Sequence, residues 1–162
     1  MTSDAAAQRP DTGVEGRYAG FVTRAAGFAV DVVTIAVTID IFGAVVEFLV
    51  SSISGDSFTF SQVPVLSITA IVIWSFVYCA WPLAMSGRTF GMLVFGLRAV
   101  RTDGTRIDGR HAVVRVLAFP LSFLLFGVGF LLILLRRDRR ALHDLIAKTS
   151  VVYAWGSAEL GT

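Results

Sequence analysis

Residues 24–47, RAAGFAVDVVTIAVTIDIFGAVVE, are apolar over a length that can cross a bilayer, yet they begin on Arg24 and contain Asp31, Asp40 and Glu47. A span needs about 20 mainly apolar residues. Ionisable groups at that depth are costly enough to mark a partner or a function. At about 100° per residue, Arg24, Gly27, Asp31, Thr34 and Thr38 share one small, polar stripe. Ala36, Asp40, Gly43 and Glu47 share a second, roughly opposite face. A helix with two such faces turns at least one of them toward other helices or another subunit.

The rest of the chain fits a small integral membrane protein. It is 55% hydrophobic and 16% charged, against about 25% charged in soluble domains, and the apolar residues come in blocks. The one cysteine, Cys79, lies in such a block, which excludes an intrachain disulfide and a cysteine-based zinc site. Arginine outnumbers lysine 13 to 1 and asparagine is absent, a bias that suggests a high-G+C bacterial genome. The net charge of +2 is small, and the arginines border apolar stretches. They read as topology signals and contacts to membrane lipids, not as a nucleic-acid surface.

Residues 1–16 read as a disordered tail without the pattern of a signal peptide, residues 17–155 as one membrane domain, and residues 156–162 as a second tail. The first span is expected over 21–50 and the second over 63–85, joined by a loop, 51–62, that lacks Lys and Arg. Trp74, Tyr78 and Trp81 share one face of the second span, suited to an aromatic belt or to packing on the first. The connection that follows carries Arg88, Arg98, Arg101, Arg106, Arg110 and Arg115, so it and the N-terminus are expected to face the cytoplasm. Within it, GRTFGMLVFG suits an interfacial helix. LRAVRTDGTRI, with Asp103-Gly104 at its centre, suits a small cytoplasmic-face β-hairpin.

A third apolar stretch, 113–135, poses a conflict. If it crosses fully, Arg136, Arg137, Arg139, Arg140 and Lys148 fall outside, against the positive-inside rule. A re-entrant segment broken near Gly127-Val128-Gly129 avoids this, and is favoured here over a span. The fold class expected is all-α integral membrane: two transmembrane helices plus a third broken or spanning segment.

No nucleotide-binding loop, nucleophile elbow or zinc-protease motif occurs. His111 and His143 lack metal-ligand spacing. No catalytic residue, cofactor or metal is expected. His143 beside Asp144 could handle protons, but reads better as a polar interfacial side chain.

Several short motifs, taken in order, resemble the RDD family of small bacterial membrane proteins: Arg24 and Asp31 in the first span, SGRTFG at 86–91, GLRAV at 96–100, Asp103-Gly104, and LHDLIAKT at 142–149. The resemblance covers about residues 18–153. It implies that the family's one arginine and two aspartates are here Arg24, Asp31 and Asp144. One position departs: family members usually carry Lys where this chain has Met92. An Arg24–Asp144 pair would tie the C-terminal segment to the first helix. Asp31 would need a donor, such as Arg88, Arg115 or backbone N–H groups of the third segment. Arg88, Arg136, Arg137, Arg139 and Arg140 would meet lipid headgroups.

Two functions are consistent with these residues. One is an accessory subunit of a larger transport complex in the bacterial cytoplasmic (inner) membrane, beside permease-like chains, with an MCE-type lipid transporter as a host. Asp40 and Glu47 would then face the partner or an ion. The other is a small oligomeric ion or proton transporter that uses intramembrane aspartates.

Overall fold

The computed structural model describes residues 18–124 and 140–154. Its elements are α1 (Phe21–Ser54), a 3-10 turn (Phe60–Gln62), α2 (Pro64–Ser86), α3 (Phe90–Val94), β1 (Leu97–Arg101) and α4 (Gly109–Leu124). They are followed by a short helix, here α5 (Leu142–Ile146), and β2 (Thr149–Tyr153). The expected tails, the break at Gly127-Val128-Gly129, and Arg136, Arg137 and Arg139 lie outside the described residues.

Both α1 and α2 are long and apolar enough to cross a membrane. At 1.5 Å per residue they measure about 51 and 35 Å, against roughly 30 Å of hydrocarbon. Part of α1 is spent elsewhere: Gly27 and Asp31 are buried against α3. Along both helices Val, Ile, Leu and Phe side chains stand exposed, the surface a helix offers to lipid tails.

The first loop is shorter than the sequence suggests, because α1 runs on through Ser54. Ser52 and Ser54 satisfy their hydroxyls on carbonyls one turn back. The helix stops at Gly55, which takes a left-handed φ of 74° and returns its N–H to the Ser51 carbonyl at 3.0 Å. Pro64 then opens α2 in the first turn, where a missing N–H costs nothing.

Beyond α2 the chain builds a compact cap. Gly87, at φ 72°, ends α2, and a Cβ there would lie 2.9 Å from the Ala99 carbonyl oxygen. Thr89 caps α3 by accepting the Met92 N–H. Phe90, Leu93 and Val94 face outward, as an interfacial helix requires.

β1 does not pair within a hairpin. Its antiparallel partner is β2, with Leu97 opposite Tyr153 and Arg101 opposite Thr149. The Asp103-Gly104 turn does form, with the Arg101 N–H on the Thr105 carbonyl at 3.0 Å, but only the isolated bridge Val100–Arg106 follows it. The reason is burial. Leu97, Ala99 and Val100 are buried, and the β-branched run of β2 covers them where three residues after the turn cannot. Tyr18 and Ala19 extend this sheet on the other edge of β2.

The described core therefore sits in the cap. Leu83, Ala99, Ile107 and Ala112 form one cluster, and Ala19, Leu97 and Val151 another. Met92 packs against both, so the residue that departs from the family pattern serves here as a flexible apolar filler.

Candidate functional site

The N-terminal stripe of α1 carries two buried carboxylate centres' worth of contacts. The first centre is Asp144, which is fully buried on α5. Arg24 Nη1 donates to its Oδ2 at 2.5 Å, and Arg115 Nη1 donates to its Oδ1. The Ala141 N–H donates to Oδ2 at 3.1 Å. Both arginines are fixed by second contacts. Arg24 reaches the carbonyls of Ala19 and Val151, and Arg115 reaches the Thr149 hydroxyl at 2.8 Å. Arg115 is only 5% exposed. It lies on the inner face of α4 between Ala112 and Ala118, also buried, whose small side chains leave room for a guanidinium.

Burial pushes the Asp144 pKa up, but Arg115, His143 and Arg24 pull it down further, and the carboxyl is held below the usual carboxylate range. His143 Nε2 lies 3.6 Å from Asp144 Oδ1, and its ring meets that of Phe119 at a tilt of 55°, centroids 5.1 Å apart. Burial, then the charge of Arg115, push its pKa down to about 3. His143 is thus a buried neutral imidazole beside the ion pair, where the sequence suggested a polar interfacial side chain, and it carries no charge near neutral pH.

The second centre is Asp31. The sequence offered Arg88, Arg115 or backbone N–H groups of the third segment as donors, yet the three donors among the described residues are neutral and come from elsewhere. Tyr78 donates from α2 at 2.9 Å, the Thr89 hydroxyl at 2.5 Å, and the Gly91 N–H at 2.7 Å. Arg115, considered for this role, is on Asp144 instead. The Gly91 N–H can reach because α3 comes unusually close to α1. A Cβ on Gly91 would collide with the Gly27 carbonyl and sit 2.9 Å from Asp31 Cγ. Gly87 and Gly91 thus serve separate contacts. Further along the stripe, Trp74 Nε1 donates to Thr38 Oγ1 at 2.8 Å. Trp74 and Tyr78 therefore join α2 to α1, while Trp81 is 69% exposed.

The second face of α1 divides. Glu47 is not free for an outside partner: it accepts the Phe60 N–H at 2.6 Å, and Phe60 packs on Gly43. Asp40 is exposed and has no hydrogen bond or ion pair among the described residues. Arg140 Nε donates to the Thr149 carbonyl at 3.1 Å, so it anchors β2 instead of reaching only for headgroups. Arg88 follows α2 and is half-buried. No group of His, Cys, Asp and Glu among the described residues is arranged to hold a metal.

Thr89, Gly91 and Thr149 were read from sequence only as parts of longer motifs, and Tyr78 for a belt or for packing on the first span, not as a donor to Asp31. The signal for Tyr78 was its place on one face with Trp74. Backbone donors such as those of Gly91 and Phe60 leave none.

The sequence model of the RDD family matches residues 18–148. Two Bacillus subtilis proteins are similar, each named only as uncharacterized. YckC is 37% identical over 78 residues, 45% of this chain and 52% of that protein. YxaI is 37% identical over 65 residues, 40% of this chain and 42% of that protein. The alignments thus span about half the length of these relatives or less. No solved structure matches the chain.

Proposed function

The chain belongs to the RDD family, and from that premise we propose that it is a non-catalytic accessory subunit of a larger transport complex. The complex would lie in the bacterial cytoplasmic membrane, with the N-terminus of this chain inside. One observation carries the reading. The polar stripe of α1 is consumed within the fold, while Asp40 stands exposed on a membrane-length helix among apolar side chains such as Val37, Ile41 and Phe42. A carboxylate in that setting calls for a donor from another chain. An MCE-type lipid transporter is the first host to test.

A tagged pull-down of the native protein in mild detergent, with Asp40→Leu beside it, tests this. A stoichiometric complex with permease-like chains that weakens in the variant supports the subunit. Recovery of the protein alone, or only as a homo-oligomer, overturns it.

A second reading rests on Asp31, a buried carboxylate held by neutral donors, with no ion pair among the described residues. In a small oligomeric transporter this group would take an ion or proton. Loss of cation flux into proteoliposomes for Asp31→Asn, with folding and assembly intact, would favour that reading.

A further inference from the structure

At the C-terminal end of α2 a cavity of about 240 Å³ opens between Met85, Ser86 and Gly87 on one wall and Arg98, Arg106 and Ile107 on the other. Drug-sized ligands need roughly 300–1,000 Å³, so this space suits a smaller group. Its walls are fixed by backbone. The Ala99 N–H donates to the Gly87 carbonyl at 2.7 Å, which docks β1 on the end of α2. The turn after β1 then folds Arg106 back against Val100.

Three guanidinium groups gather here, with no carboxylate paired to them among the described residues. Arg88 and Arg106 are the charges that act on Arg98, and burial together with them pushes Arg98 below the ordinary arginine range. The Nε atoms of Arg88 and Arg98 are buried and have no acceptor. Nearby acids are committed elsewhere: Asp103 to Thr105 and Arg101, and Asp108 to His111. Buried charged donors without acceptors are uncommon and costly. Two such donors, on Arg88 and Arg98, with the exposed Arg106 beside them, call for an anion, and planar guanidinium forks match phosphate oxygens bidentately.

We propose that this cavity is a phosphate-group site, in which Arg98 and Arg106 grip the anion and Arg88 completes the positive field. The site lies where a membrane-length helix ends, at the depth of lipid headgroups. Both an anionic phospholipid and free phosphate offer this chemistry. The inference stands apart from the subunit reading, since it concerns a different face of the molecule.

The test uses the full chain purified in mild detergent. Native mass spectrometry with phosphatidylglycerol against phosphatidylcholine reads headgroup binding. Thermal unfolding in inorganic phosphate against chloride, at equal ionic strength, reads the free anion. The variant is R98Q/R106Q, and R101Q is the surface-charge control. The expected result is selective retention of phosphatidylglycerol, a phosphate-specific rise in melting temperature, or both, reduced at least tenfold in affinity in R98Q/R106Q and unchanged in R101Q. A response to the lipid alone assigns a headgroup site; a response to phosphate at millimolar concentration or below assigns a free-anion site. Should R98Q/R106Q not fold, R98K keeps the charge but loses the fork, and its affinity must fall at least threefold. The proposal is overturned if neither probe is selected over its control, or if R98K or R98Q/R106Q binds as tightly as the unaltered chain.

Discussion

Asp144 and Asp31 are both buried carboxylates reached from the same stripe of α1, and they are held by opposite chemistry. Asp144 sits in the cap between two guanidiniums. Asp31 sits further along α1 and is held by two hydroxyls and one amide. A buried ion pair contributes little net stability, yet breaking one strands a buried charge. A carboxylate held by neutral donors strands no cation when it is lost. The first centre is therefore suited to locking the fold, and the second can change its charge with less damage.

The largest effect expected is at Asp144. Asp144→Ala leaves Arg24 and Arg115 without their common acceptor, and should cost about 3–5 kcal/mol, read as a fall in thermal stability in detergent or loss of folded protein from membranes. Asp31→Asn keeps the shape and should cost about 1 kcal/mol. Equal losses at the two positions would break the comparison.

Acid should strain the first centre next. His143 is neutral in the fold, with its pKa at about 3 against an ordinary 6.5. The unfolded chain binds the extra proton between those values, so stability is full above pH 6.5 and falls as pH drops toward 3. The slope approaches about 1.4 kcal/mol per pH unit. Asp144, held below its usual range, adds a loss in the same direction below roughly pH 4. His143→Gln should flatten melting temperature against pH between roughly 4.5 and 6.5, and an unchanged profile would remove His143 from the account.

Gly91→Ala probes the second centre through its backbone donor. Its Cβ would meet the Gly27 carbonyl, and prying α3 off α1 should cost about 1–3 kcal/mol. Gly27→Ala, with its nearest atom at 3.3 Å, should cost less in the same unfolding assay. The smallest effect concerns neither carboxylate. Lys148 has a left-handed φ of 51° between α5 and β2, and Lys148→Gly should raise stability by roughly 1 kcal/mol.

Much of this was legible where residue spacing carries the information. The stripe of Arg24, Gly27, Asp31, Thr34 and Thr38 follows from helical period alone, and nearly every member makes a contact in the fold. The resemblance gave Asp144 as a family residue, and its charge made it a partner for Arg24. A wheel gives a direction and not a neighbour, so it could not say that Asp31 would meet Tyr78 and Thr89, or that Arg115 would go to Asp144. Glu47 looked unpartnered because its donor is the Phe60 amide, which every residue possesses. Asp103-Gly104 formed its turn, but a turn signal is local, and strand pairing was decided by the apolar run at Val151 and Val152 some fifty residues later.

The reach of the Asp144 contacts also sets an order of assembly. Asp144 lies 120 residues after Arg24 in the chain. At ribosomal rates of roughly 5–20 residues per second, Arg24 waits about 6–24 s for its acceptor. During that interval both membrane-length helices are made, β1 emerges without the strand that covers it, and Arg24 lacks its counter-ion, joined over the last 29 residues by Arg115. The cap thus acts as a late-closing latch. A nascent chain halted before Asp144 carries its hydrophobic helices and an open, cationic surface, a state that a membrane quality-control protease could tell from the finished protein by charge alone.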